Sequence, residues 1–136
     1  MKESLKSNPA DAVGVAVVLD TNEEGQPQHY VYLINERDDL LRGCLVACRG
    51  YGRSAVSDEL IETSVLRHFL DEVKPKSFRK IEPIMEDLFG LNNEYWVSFW
   101  IGDVMYDKKY IFLPETIQES NFVKVPLIDE KGVFIR

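Results

Sequence analysis

The sequence is short of the residues that pin small folds together or carry metals. It holds two cysteines and two histidines in 136 residues. Cys44 and Cys48 are four positions apart. Along a strand that is about 13 Å at ~3.3 Å per residue, beyond the ~7 Å between Cα atoms that a disulfide tolerates. Two reduced thiols are then expected as small core hydrophobes. With only His29 and His68 to join them, neither a metal centre nor a cofactor is expected. Positive charge is scarce too. Sixteen Lys and Arg face 23 Asp and Glu, for a formal net charge of −7. That balance repels phosphate backbones and anionic bilayers, which argues against nucleic acid and membrane surfaces as partners. No apolar run reaches the ~20 residues of a membrane helix. The longest, "AVGVAVVL" over 12–19, follows Pro9 and Asp11 rather than basic residues, and "DTNEEG" comes after it. It reads as a buried strand of a cytoplasmic protein, not as a leader.

What is present fits one globular unit. The chain is 45% hydrophobic and 29% charged, an ordinary balance for a protein able to bury roughly two thirds of its unfolded surface. Residues 1–11 are polar and aperiodic and predict a flexible arm before a single domain over 12–136. Val13, Val15, Val17 and Leu19 alternate with smaller residues, which predicts a strand. A turn-rich "DTNEEGQPQ" leads to a second strand at "YVYLI". The segment "ERDDLLRGCLVACRG" fits either a helix from Asp38 or a strand over 42–49; Gly43 favours the strand. "SDELIETSVLRHFL" over 57–70 is equally two-sided: a helix opened by Ser57, or a strand from Ser64. "SFRKIEPI" predicts a short strand and "MEDLFGL" one helical turn. "NFVKVPLIDEKGVFI" predicts a last small hairpin.

The strongest strand signals are "EYWVSFWI" and "VMYDKKYIFL". Gly102-Asp103 between them suits a two-residue type II′ turn, with glycine first. That turn fixes the pairing. Phe99 faces Tyr106, Val97 faces Lys108 and Tyr95 faces Tyr110 on one side. Trp100 faces Met105, Ser98 faces Asp107 and Trp96 faces Lys109 on the other. Both sides are aromatic, so the second side needs a cover. The C-terminal hairpin or the 57–70 segment is the expected one.

These residues resemble immunoglobulin-like sandwiches of the fibronectin type III and bacterial adhesion-module kind. "YVYLIN", a polar turn and "LRGCLVACRG" look like their second and third strands. "DEVKPKSFRKIEPI" is similar to their Pro-containing turn into the fifth strand. "NNEYWVSF" is similar to the start of the sixth, with Tyr95 where the corner tyrosine stands. The likeness covers about Val13 to Pro114. Val97 stands where antibody domains carry their second cysteine, and the third strand has no core tryptophan. The resemblance implies a mostly-β, two-sheet antiparallel sandwich with one or two short helices.

Three surface groups are candidates for binding. Trp96, Trp100, Met105 and Lys109 form a surface for a partner or ligand. Lys74, Lys76, Arg79 and Lys80 gather the only basic cluster, suited to an acidic partner or to guarding an edge strand. Arg49 and Arg53 in "CRGYGRS" suggest a turn for an anion, without the Lys-Ser/Thr ending of a P-loop. "DTNEEG" opens like a calcium loop, but Val31 stands where the closing Glu belongs. No spacing pairs His68 with a nucleophile. The expectation is therefore a non-catalytic protein-interaction module that self-associates through its aromatic sheet face. A small-ligand or carbohydrate binder using Trp96 and Trp100 is the second reading, and a small enzyme the third.

Overall fold

The computed structural model describes residues 9–54 and 56–136. Among these residues the chain forms ten strands, the longer ones built on alternating apolar residues: β1 Val13–Thr21, β2 Pro27–Asn35, β3 Leu41–Arg53, β4 Leu60–Glu62, β5 Leu66–Val73, β6 Ser77–Ile84, β7 Asn92–Ile101, β8 Val104–Phe112, β9 Val123–Lys124 and β10 Lys131–Ile135. They form two antiparallel sheets. One has the order β6-β2-β1-β10-β9. The other runs β4-β3-β7-β8, with β5 following β4 along β3. The fold is thus mostly β, as the alternation predicts. Helical structure among the described residues is three single 3-10 turns, at Pro9–Ala12, Glu86–Leu88 and Glu119–Asn121. No helix among these residues is long and apolar enough to cross a membrane. The arm expected over 1–11 falls mainly on residues outside those described; within Pro9–Ala12, Ala10 is buried in the core.

The two segments open between helix and strand are both strands. β3 extends past Gly50 and Gly52 to Arg53, so "CRGYGRS" is largely strand and not a loose turn. Gly43 adopts φ 57° where the register of β3 shifts, the left-handed conformation a glycine bulge uses. Over 57–70 the helical spacing of Leu60, Ile61, Val65 and Phe69 does not mark a buried stripe, for all four side chains are exposed. The backbone there pairs with β3, Leu45 opposite Phe69 and Val46 opposite His68. That ladder satisfies the groups a helix would have satisfied internally.

The sheets meet through Val13, Val15, Val17, Val31 and Leu33 from the first and Val46, Val97, Phe99, Tyr110 and Phe112 from the second. The first sheet is buried on its outer side as well. Ala16, Val18, Tyr32 and Ile34 form a second cluster under Val125, with Ile128 and Phe134 against it. Gly14 makes room for this cover: a Cβ there would lie 2.5 Å from the Phe134 ring. The C-terminal hairpin predicted from the sequence forms, but β10 pairs with β1. It therefore serves the first sheet and not the tryptophans, contrary to expectation.

Candidate functional site

The β7–β8 hairpin has the register its turn dictates, from Ile101 opposite Val104 to Asn93 opposite Phe112. Gly102 supplies the positive φ, 57°. Tyr95, Val97, Phe99 and Tyr110 point into the core, and Tyr106 stacks on Phe99 at 6.0 Å. The other side faces outward. Trp96 is 46% exposed, Trp100 40% and Met105 54%. The Lys109 ammonium lies 4.7 Å from the Trp96 ring centre, a cation–π contact that shields one face of the indole. Trp100 rests beside the bare backbone of Gly43, where a Cβ would come within 3.3 Å of its ring.

The 57–70 segment does not cover this face. It widens it. Phe69, 67% exposed, stands opposite outward-facing Leu45, and Val65 lines a shallow hollow with Ala47, Trp96 and Lys109. The result is a broad apolar sheet face with the two tryptophans near its middle.

A second cluster, which the sequence did not reveal, sits at the margin between the sheets. β5 and β6 are consecutive strands in different sheets, joined by the turn at 74–76. Cys48 on β3 has Tyr95 of β7 opposite it, and His68 of β5 lies opposite the buried Val46. All point inward. From the facing sheet comes Glu82. The β2–β6 register shifts between Val31 and Tyr32, paired with Glu82 and Lys80. This bulge turns both Ile81 and Glu82 toward the interior. Glu82 Oε1 accepts from His68 Nε2 at 2.8 Å and from the Cys48 thiol at 3.2 Å. Its Oε2 accepts from the Tyr95 hydroxyl at 2.9 Å. Burial, then the Glu82 charge, pushes the Cys48 thiol up to about 12. The same two causes raise the Tyr95 phenol. Cys48 is thus a protonated thiol at neutral pH and no ready nucleophile. Cys48, Glu82 and Tyr95 line a cleft of about 200 Å³ together with Thr63, Ser64 and Asn93.

The alternation of single strands could place Cys48 and Tyr95 inward. It could not show that Glu82 reaches across from the other sheet, because that depends on a bulge. Tyr95, at the position of the corner tyrosine in the resemblance, bonds to the Glu82 carboxylate. Tyr110 instead donates to a main-chain carbonyl, that of Val13, at 2.5 Å.

Most of the remaining candidates are already engaged within the chain. Lys76 donates to the Glu36 carbonyl at 2.5 Å and Arg79 to that of Glu72 at 2.9 Å. Lys80 stacks 3.8 Å over Tyr30. With Lys74 they lie on the β5–β6 turn and on β6, the edge strand of the first sheet. Arg49 is held by Glu62 at 2.8 Å and Glu94 at 3.3 Å, and Arg53 donates to the Asp58 carbonyl at 3.1 Å. Both arginines are tied down, and Arg49 is already matched by carboxylates. In "DTNEEG" the Asn22 side-chain oxygen accepts from the Glu24 and Gln26 amides at 2.9 Å each, which closes the loop on itself. The chain matches no protein-family model, no curated protein and no solved structure.

Proposed function

We propose that this chain is a non-catalytic interaction module that self-associates through the outer face of β5-β3-β7-β8. The observation that carries the reading is the exposure of Trp96, Trp100, Met105, Leu45 and Phe69 side by side on one sheet face. An apolar patch of that kind marks an interaction surface. Charge argues for a second copy as the occupant. The chain carries net −7, which sets most of its surface against itself. This face differs: Arg42, Arg67 and Lys109 accompany Asp107, and Arg49 offsets Glu62 and Glu94. Two copies related by a two-fold axis can bury the tryptophans together and set Lys109 or Arg67 against Asp107 of the other copy.

The strand order supports the immunoglobulin-like reading of the fold. β1, β2 and β6 share one sheet and β3, β7 and β8 the other, as strands A, B, E and C, F, G do in that fold. β10 and β9, added beside β1, are this chain's own extension. The free thiols of Cys44 and Cys48 support a reducing, cytoplasmic setting.

Sedimentation equilibrium from micromolar to millimolar chain tests the proposal. The expected mass rises from one chain toward two, and Trp100→Glu holds it at one. A wild-type mass of one chain throughout, or a Trp100→Glu dimer as tight as wild type, overturns it. A dimer that dissociates on titration with a sugar would favour the ligand-binding reading of Trp96 and Trp100 instead.

A further inference from the structure

We infer that the inter-sheet cluster is a binding site for a divalent ion of the zinc class, held by Cys48 Sγ, His68 Nε2 and Glu82 Oε1. Those ligand atoms all lie within 4.8 Å of one another. The His68–Glu82 separation is 2.8 Å and the Cys48–Glu82 separation 3.2 Å. Tetrahedral zinc, with bonds of about 2.0–2.3 Å, sets its ligand atoms roughly 3.3–3.6 Å apart. The two pairs that share Glu82 Oε1 need to open by only about 0.3–0.5 Å around an ion, and the Cys48–His68 pair lies within 4.8 Å.

The donor set is selective. One thiolate, one imidazole and one carboxylate suit zinc, whereas magnesium and calcium call for oxygen ligands alone. The charges close as well: a doubly positive ion against a thiolate and a carboxylate leaves a neutral, half-buried centre. Binding breaks the S–H bond of Cys48, forms the sulfur–metal bond and releases one proton to solvent. The metal supplies the stabilisation that the thiol otherwise lacks for losing that proton.

The neighbours fit this assignment. Tyr95 donates to Oε2 of Glu82, which leaves Oε1 to act as a single-oxygen ligand and fixes the carboxylate's orientation. Cys48, His68 and Glu82 stand on three strands of two packed sheets, so the ligands are held by the fold and not by a loop. Cys48 and Glu82 also line the cleft beside Thr63, Ser64 and Asn93, from which a water molecule would supply the fourth ligand. In this setting Tyr95 is a positioning residue, acting through Glu82.

Titration of the full, metal-free chain with cobalt(II) at neutral pH tests the site. The expected result is one ion per chain, with thiolate-to-cobalt charge-transfer absorption in the near ultraviolet that stoichiometric zinc abolishes. Cys44→Ser keeps the band and Cys48→Ser loses it. His68→Gln weakens binding at least about tenfold, and Tyr95→Phe weakens it about 10–100-fold. The wild-type titration decides by itself should Cys48→Ser fail to fold. Absence of charge-transfer absorption at millimolar cobalt, with the circular dichroism of a folded chain, overturns the inference. So does a band that survives Cys48→Ser.

Discussion

The two sheets present opposite answers to the same problem. Each has apolar residues on both faces, and each packs one face against the other sheet. The first sheet covers its second face with its own chain: Val125 is 0% exposed over Ala16, Val18, Tyr32 and Ile34. The second sheet leaves Trp96 and Trp100 nearly half exposed. Burying a large apolar side chain stabilises by roughly 1.5–3 kcal/mol. One face has already taken that gain within the monomer, and the other still has it available for association. The difference lies in the last 24 residues, which return along the first sheet and not the second.

The comparison breaks first on the covered face. Ile34→Ala removes a fully buried side chain there and should cost about 2–5 kcal/mol, read as a drop in the urea midpoint that does not change with protein concentration. Gly14→Ala should cost about 1–3 kcal/mol. Its methyl would meet the Phe134 ring at 2.5 Å and the Ile135 carbonyl at 2.7 Å. Adding Phe134→Leu should return only part of the loss, because the carbonyl clash stays. On the bare face, Trp100→Ala should change the unfolding free energy of the dilute monomer by less than about 1 kcal/mol. Its effect should appear at high concentration, where it removes the extra stability that association gives wild type.

The core between the sheets can be separated from both outer faces by pH. Burial first, partly countered by a hydrogen bond from the backbone at Val73, holds the Cys44 thiol up at about 11; Cys48 stands at about 12. Unfolded thiols titrate near 9.0. The thiols' contribution is therefore complete below pH 9 and is lost as pH rises through about 11 and 12, because the unfolded chain releases its protons first. Urea midpoints should begin to fall near pH 9. In the chain carrying Cys44→Ala and Cys48→Ala the fall should begin nearer pH 10, the ordinary phenol value from which Tyr95 and Tyr110 are raised. An onset that ignores the double substitution would remove the thiols from the account.

Much of this arrangement was legible in the sequence wherever a local rule decided it. Gly102-Asp103 set the hairpin register, and with it which side Trp96, Trp100, Met105 and Lys109 would share. The alternation at 13–19 marked β1. The sequence was less informative where the outcome turned on distant contacts. The spacing over 57–70 suited a helix because Leu60, Ile61, Val65 and Phe69 happen to fall at helical intervals. The free edge of β3 decided for strands. Val125 and Ile128 gave no sign of which sheet they would cover. The Cys48, His68 and Glu82 cluster depends on a bulge in β6 and on three strands from two sheets coming together, and no one-dimensional spacing encodes either.

The central claim is that the face bearing Trp96 and Trp100 is bare in the monomer and buried between two copies. The chain has two tryptophans and both lie on that face, so indole fluorescence reports it alone. The most direct measurement is acrylamide quenching across a concentration series. Ready quenching in dilute solution, with protection and a blue-shifted emission as concentration rises, is the predicted result. Quenching that stays the same from micromolar to millimolar chain would contradict it.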